Sequence, residues 1–262
     1  MHATTQEVIL YQFYFMDSNS SPTIIVPARL ASVRFPRKLL ADAGGKPLIL
    51  RTAERIRNQV PEFDLFFAVD GEELRDVLET SGYNAILTDP QLPSGTDRIA
   101  TANQVLKREL VINVQADEPM VMREQILLLA QALCDPAVSI STLASIFQTE
   151  NDFLDPNQVK VVIDNQRNAL YFSRAPIPFA RDKETRWLQG DSNYAYKHMG
   201  LYGYKKAFLE SFVSSQEGEL EKIEKLEQLR ALQSGYRIAV EITEFPSVGV
   251  DVLEDLNKIN FT

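Results

Sequence analysis

Apolar residues along this chain come in two textures. TIIVPA (23–28), FDLFFAVD (63–70), NAILTD (84–89) and LVINVQADEP (110–119) are short runs closed by a carboxylate or a turn residue. Runs of that length bounded by turn signals predict buried strands. PLILRTAERIRNQV (47–60) instead spaces its apolar positions three and four apart, GEELRDVLETSG (71–82) and REQILLLAQALC (123–134) share that character, and SGTDRIATANQVLK (94–107) reads as a loop feeding a helix. That period predicts helices, with Pro47 in a first turn and Gly82 as a stop. Strand and helix alternate, so the first half predicts a mainly parallel sheet with helices on both faces.

The pattern changes after residue 134. VSISTLASIF (138–147), VKVVID (159–164) and ALYFSR (169–174) predict strands with little helix between them, hence a partly antiparallel extension. YKHMGLYGYKKAFLESFV (196–213) runs from strand into helix. ELEKIEKLEQLRALQSG (219–235) predicts one charged amphipathic helix ended by Gly235, its Glu221–Arg230 run a solvated face with i,i+4 pairs. RIAVEIT (237–243) and SVGVDVLEDLNKI (247–259) predict strand, loop and helix. Residues 1–21 carry an apolar aromatic stretch, Val8–Met16, with no basic region before it, and are expected to be a disordered extension or an alternative start. Residues 22–262 are expected to form a single domain, with a subregion near 120–210 set apart in character.

Composition narrows the class. A chain of 262 residues with 45% hydrophobic and 24% charged residues can bury an ample core without staples. One cysteine, Cys134, excludes an internal disulfide or a Cys-rich zinc site, and reads as a small buried hydrophobe. No apolar run reaches the roughly 20 residues of a membrane helix. A net charge of -9 argues against a nucleic-acid binder. A cytoplasmic enzyme without stable membrane association is the default expectation.

Against that acidity, Arg29, Arg34, Arg37 and Lys38 crowd the loop after the first strand. Ligands of open α/β sheets sit beyond the carboxyl ends of the strands, so the loop suits a polyphosphate or is a solvated basic loop. There is no P-loop or dinucleotide glycine signature. Asp117 and Glu118 close the fourth strand on the same edge, as Mg²⁺ ligands or as helix-terminal carboxylates. Asp251 is a second such ligand or an N-cap, with Glu254 completing a capping-box-like pair. His198 is the one histidine inside the fold, and could be a site residue or a satisfied histidine. Tyr171, Phe172, Tyr194, Tyr196, Tyr202 and Tyr204 read as core and interface. No side chain stands out as a general base.

Taken in order, VPARLASVRFPRKLLADAGGKPLI, SGTDRI, VINVQADEP, NQVKVVIDNQRNALYFSRAPIPF, YKHMGLYGY, IEKLEQLRAL and VGVDVLEDL resemble the 3-deoxy-manno-octulosonate cytidylyltransferases, over residues 23–262. Each motif alone is weak, and their ordered combination is specific. The resemblance implies a Rossmann-like (GT-A-like) nucleotidyltransferase fold with a partly antiparallel sugar-binding and dimerisation extension, a homodimer, and Mg²⁺ as cofactor. It implies CTP and Kdo, an acidic eight-carbon sugar, as substrates, and CMP-Kdo for lipopolysaccharide synthesis as product. Arg29, Arg34 and Lys38 match the triphosphate loop. Ser94, Gly95, Thr96 and Arg98 match the cytidine side, as does Gln115 beside both substrates. Asp117 and Asp251 match the metal carboxylates. Arg174, His198, Tyr202, Glu227 and Gln228 match positions lining the sugar pocket, with Arg174 or His198 meeting the sugar's carboxylate and hydroxyls.

Three departures stand out. Arg37 replaces a glycine common before the lysine. Ala116 replaces a glycine between Gln115 and Asp117, where an ordinary φ is expected. Val252-Leu253 replaces the usual Thr-Pro after Asp251. Rival readings are the same reaction on 8-amino-Kdo or another ulosonic or nonulosonic acid, a glycosyltransferase of similar sheet architecture, and a nucleotide-sensing module. QADEP lacks the Asp-x-Asp spacing of the second, and the pairing of Asp117 with Asp251 disfavours the third.

Overall fold

A computed structural model describes residues 21–31, 35–181, 195–246, 249–250 and 252–259. The extension, Arg34, Tyr194 and Asp251 lie outside the described residues. Among the described residues nine strands form one sheet: β1 Thr23–Ala28, β2 Asp64–Val69, β3 Asn84–Leu87, β4 Leu110–Asn113, β5 Ile140–Ile146, β6 Lys160–Ile163, β7 Ala169–Ser173, β8 Tyr196–Lys205 and β9 Ile238–Ile242. Their order is β3-β2-β1-β4-β8-β5-β9, with β6 beside β8 and β7 beside β6. The helices are α1 Leu48–Gln59, α2 Glu72–Thr80, α3 Gly95–Leu106, α4 Arg123–Ala132, α5 Glu150–Leu154, α6 Lys206–Ser214, α7 Glu219–Glu224, α8 Gln228–Gln233 and α9 Leu253–Leu256.

The pleat explains the layering. Ile24, Val26 and Ala28 of β1 face one way and pack with α1, α2 and α4. Ile25 faces the other way, into a layer with α3, α6 and α8. Side chains alternate between faces every residue, so a strand buried on both sides must be apolar throughout, as β1 is. β1, β2, β3 and β4 pair in parallel, as the alternation of strand and helix requires. β8 runs antiparallel between β4 and β5, placing Tyr202 opposite Asn113. The antiparallel part is therefore inserted within the sheet as well as added at its side. Pro27 is tolerated because β4 pairs with β1 only over Thr23–Ile25, so the strand is no longer flanked on both sides there.

Three sequence expectations are corrected. The 219–235 helix is two helices, because Lys225 turns into the left-handed region at φ 53 between α7 and α8. Its charged run is also not a solvated face: Arg230 meets Glu221 through two bonds of 2.7 and 2.8 Å, and Glu221 is only 7% exposed. Finally, α9 is capped one residue later than expected. Val252 precedes it and donates its N–H to Asp255 at 3.1 Å, so Asp255 takes the part given to Glu254. Cys134 is partly buried and its thiol is pushed up by burial.

Candidate active site

Three loops meet at the carboxyl edge of the parallel strands. The loop after β1 is anchored where Leu30 donates its N–H to the Asp70 carboxylate, 3.1 and 3.0 Å from its two oxygens. Arg29, at the strand end, is exposed. The loop then tightens into a 3₁₀ turn, Lys38–Leu40. From it Lys38 Nζ donates to Asp117 Oδ2 at 2.5 Å and to the Val250 carbonyl at 2.6 Å. Val250 in turn donates its N–H to the Asp117 carbonyl at 2.9 Å. Gly249 lies so close that a Cβ there would stand 3.1 Å from Glu118 Oε1. One ammonium thus ties the first loop to the β4 loop and to the C-terminal loop. It is largely buried, at 12% side-chain exposure, where a charge pair is screened less than at the surface.

Two of the departures find explanations. Arg37 has φ 56 and ψ 28, a left-handed conformation that glycine adopts freely and a side chain resists. Its guanidinium pairs with Glu73 of α2, on the protein's own surface. Ala116 is absent from the residues with positive φ, as expected. Its carbonyl accepts from Thr52 Oγ1 at 2.9 Å, which fixes the β4 loop to α1.

The Asp117 carboxylate is paired with the Lys38 ammonium, which a metal ion would have to displace or share it with. The residue before Asp251 is hydrogen-bonded to the backbone of Asp117. Oxygen donors of this kind fit Mg²⁺. Among the described residues there is no cluster of three His, Cys, Asp or Glu side chains able to hold a metal.

The second wall is built on α3. Ser94 caps this helix, accepting from the Asp97 N–H at 3.2 Å. Gly95 follows because a Cβ would come within 3.3 Å of the Pro27 ring, so the helix N-terminus rests directly on β1. Ser94 Oγ and Thr96 Oγ1 lie 2.8 and 2.9 Å from the two oxygens of Glu227. Burial is the main reason the Glu227 carboxyl sits above its ordinary pKa. Sequence reading had put Ser94 and Thr96 on the nucleotide side and Glu227 on the sugar side; the structure brings them together. Arg98 is 2% exposed and spends its guanidinium on Thr88 Oγ1 and the Asp89 carbonyl, so it locks the β3–α3 loop.

The third wall is aromatic. His198, Tyr202 and Tyr204 lie along β8, whose register against β5 shifts between Met199 and Tyr202. His198 sits 4.9 Å from Phe172, edge to face, and 5.5 Å from Tyr202. Tyr202 stacks on Tyr204 at 5.7 Å. Burial lowers the His198 pKa to about 3 and raises that of Tyr202 well above its ordinary value. His198 is therefore a neutral imidazole near pH 7. Thr142 Oγ1 lies 2.8 Å from the Leu201 carbonyl, 3.2 Å from that of Met199 and 3.1 Å from His198 Nε2, so one hydroxyl ties the ring to the β8 backbone. Gln115 Nε2 reaches the Gly200 carbonyl at 3.4 Å across the β4–β8 pair.

Gln228 is buried and its Nε2 has no hydrogen-bond partner, as is also true of Asn113 Oδ1. Orphaned buried polar atoms invite a ligand. Sequence reading missed Asn113, which reads only as a polar residue in an apolar run. Arg174 donates Nε to the Glu224 carbonyl at 2.8 Å and Nη1 to that of Pro156 at 3.1 Å.

The family model described as Cytidylyltransferase matches residues 23–240. A 3-deoxy-manno-octulosonate cytidylyltransferase of Thermodesulfovibrio yellowstonii is 44% identical, covering 88% of this chain and 94% of its own. One of Polynucleobacter asymbioticus is 42% identical over 90% of this chain and 93% of its own. A solved CMP:2-keto-3-deoxy-manno-octonic acid synthetase complexed with CTP superposes with a TM-score of 0.84 at 33% identity, covering 91% of this chain and 96% of its own. The 4-diphosphocytidyl-2C-methyl-D-erythritol synthase of Anaerococcus prevotii, at 14% identity and a TM-score of 0.59 over 92% of this chain and 97% of its own, shares the fold alone. A nucleotidyltransferase sheet, a cationic first loop bound to a carboxylate, and relatives of this similarity over nearly the whole chain lead to one assignment: the chain belongs to the cytidylyltransferase family, among the 3-deoxy-manno-octulosonate cytidylyltransferases.

Proposed function

We propose that this enzyme activates 3-deoxy-D-manno-octulosonate: the anomeric 2-hydroxyl attacks the α-phosphate of CTP, giving CMP-Kdo and pyrophosphate. The observation that carries the reading is the Lys38 bridge to Asp117 and Val250, which gathers a cationic loop and two carboxylate-bearing loops at one point. CTP brings several negative charges to a chain of net charge -9, so they must be met locally. Arg29, Arg34 and Lys38 neutralise the β- and γ-phosphates and stabilise the departing pyrophosphate. Ser94, Gly95 and Thr96 place the nucleotide at the α3 N-terminus.

The sugar lies against β8. His198 offers its Nδ1, Tyr202 its hydroxyl and Gln228 its unpartnered amide. His198 is neutral, so it suits a hydroxyl and leaves the sugar's carboxylate to Arg174. A carboxylate is a better acceptor than the neutral carbonyls that Arg174 now holds. Asp117 and Asp251 would hold Mg²⁺, whose chemistry is to polarise the α-phosphate. The working form is a homodimer in the cytoplasm.

Pyrophosphate release from CTP is the test, with Kdo, 8-amino-Kdo and a nonulosonic acid offered in parallel. Kdo is expected to give the highest kcat/KM. A higher value for either competitor reassigns the sugar, and CTP binding without turnover on any acid removes the catalytic reading.

A further inference from the structure

Lys160 is fully buried, which is rare for lysine, and no step of the proposed reaction uses it. Its Nζ donates to the carbonyls of Asp155 at 2.7 Å and Arg174 at 2.9 Å. Burial is the main cause of its lowered pKa. Nearby, Glu224 ends α7 and turns its carboxylate to β7, accepting from Ser173 Oγ at 2.6 Å and from the Arg174 N–H at 2.9 Å. The Arg174 side chain returns across the same gap to the carbonyls of Glu224 and Lys225, at 2.8 and 3.4 Å. Two charged side chains thus clamp the end of β7 from opposite sides, one through its carbonyl and one through its N–H.

The clamped backbone leads straight to the sugar side. Arg174 is itself a sugar-side residue. Lys225, left-handed at φ 53, begins the turn that delivers Glu227 and Gln228. A left-handed non-glycine persists where neighbouring contacts hold it. The strands β6 and β7 hang from β8 as a side branch of the sheet, with Val161, Phe172, Leu226 and Leu229 tying this corner into the second core layer.

We infer that Glu224 and Lys160 are positioning residues for the sugar acid, holding Arg174 and the α7–α8 turn in register with the pocket. The inference rests on the proposed function. The test uses the full-length enzyme with Glu224→Ala, Glu224→Gln and Lys160→Met. Displacing one substrate hydrogen bond is worth roughly tenfold. Glu224→Ala and Lys160→Met are expected to raise KM for the sugar acid about that much, leaving KM for CTP within about twofold. Glu224→Gln keeps an acceptor for the Arg174 N–H and is expected to recover part of the loss. Amide hydrogen exchange, which needs no substrate, is expected to quicken about tenfold over residues 225–229 and to stay unchanged in β1 and α3.

Equal rises in both KM values, or exchange that quickens across the whole sheet, would reduce the pair to general structural support. No change in either readout also overturns the inference. If Glu224→Ala does not fold, Glu224→Gln and Lys160→Met decide by the same two readouts. If the wild-type enzyme turns over no sugar acid, the proposed function fails, and the exchange data alone decide whether the clamp orders the turn.

Discussion

The parallel and antiparallel halves bring side chains to the same sheet edge by different means. On the parallel side, loops after β1 and β4 present charged groups, and Lys38 and Asp117 hold each other through an ion pair. On the antiparallel side, β8 presents rings from the strand itself, and His198 is kept uncharged by burial. The first arrangement suits a multiply charged, flexible triphosphate. The second suits a hydroxyl-rich ring whose donors and acceptors must be matched one by one.

The largest expected effect breaks the charged side. Lys38→Ala removes the bridge between loops and the cation proposed to meet the phosphates, and is expected to lower kcat/KM for CTP roughly 10³-fold. Asp117→Asn is expected to abolish Mg²⁺-dependent turnover while the circular dichroism spectrum stays native. Normal turnover in that variant removes Asp117 from the metal site. Next in size is Arg230→Met, which strands the buried Glu221 carboxylate behind the sugar-side turn. Urea unfolding is expected to show a loss of about 3 kcal/mol.

His198→Ala sharpens the contrast between the sides. KM for the sugar acid is expected to rise roughly tenfold and KM for CTP to stay put. A rise in both would mean that the aromatic wall serves the nucleotide as well. His198 also has a stability signature. Its folded pKa of about 3 lies below the ordinary 6.5, so only the unfolded chain takes up this proton between the two values. Stability is expected to fall as pH drops from about 6.5 toward 3, and His198→Gln is expected to lose that part of the slope.

The smallest effect concerns Arg37. Arg37→Gly relieves a left-handed side chain at the cost of an exposed pair with Glu73 and of some chain entropy. The balance is expected to be a small gain in stability, with turnover unchanged. A tenfold rise in KM for CTP would instead make Arg37 a phosphate contact and move it onto the charged side.

What could be read from the sequence follows the same division. β1 appears at its true bounds, Thr23–Ala28, because burial on both faces leaves an unbroken apolar run. By contrast, the break at Lys225 carries no Gly or Pro signal, since contacts with β7 impose it. The 3₁₀ turn at Lys38 and the five-residue α5 are too short for any period to reveal. The meeting of Ser94 and Thr96 with Glu227, more than 130 residues away, depends on strand order, which periodicity does not encode. The partners that hold Arg174 and the α7–α8 turn, Glu224 and Lys160 above all, became visible only in three dimensions.

The insertion of β8 has a consequence for how the chain is made. β4 needs β8 on one side, and both neighbours of β5, β8 and β9, lie later in the sequence. During synthesis the first four strands can assemble while their growing edge at β4 stays open, until residues 196–205 have emerged. An unpaired apolar edge is where nascent chains aggregate, and long-range closure is slow. Ribosome-bound chains ending shortly before residue 196 should therefore be the most chaperone-dependent stage in this protein's life.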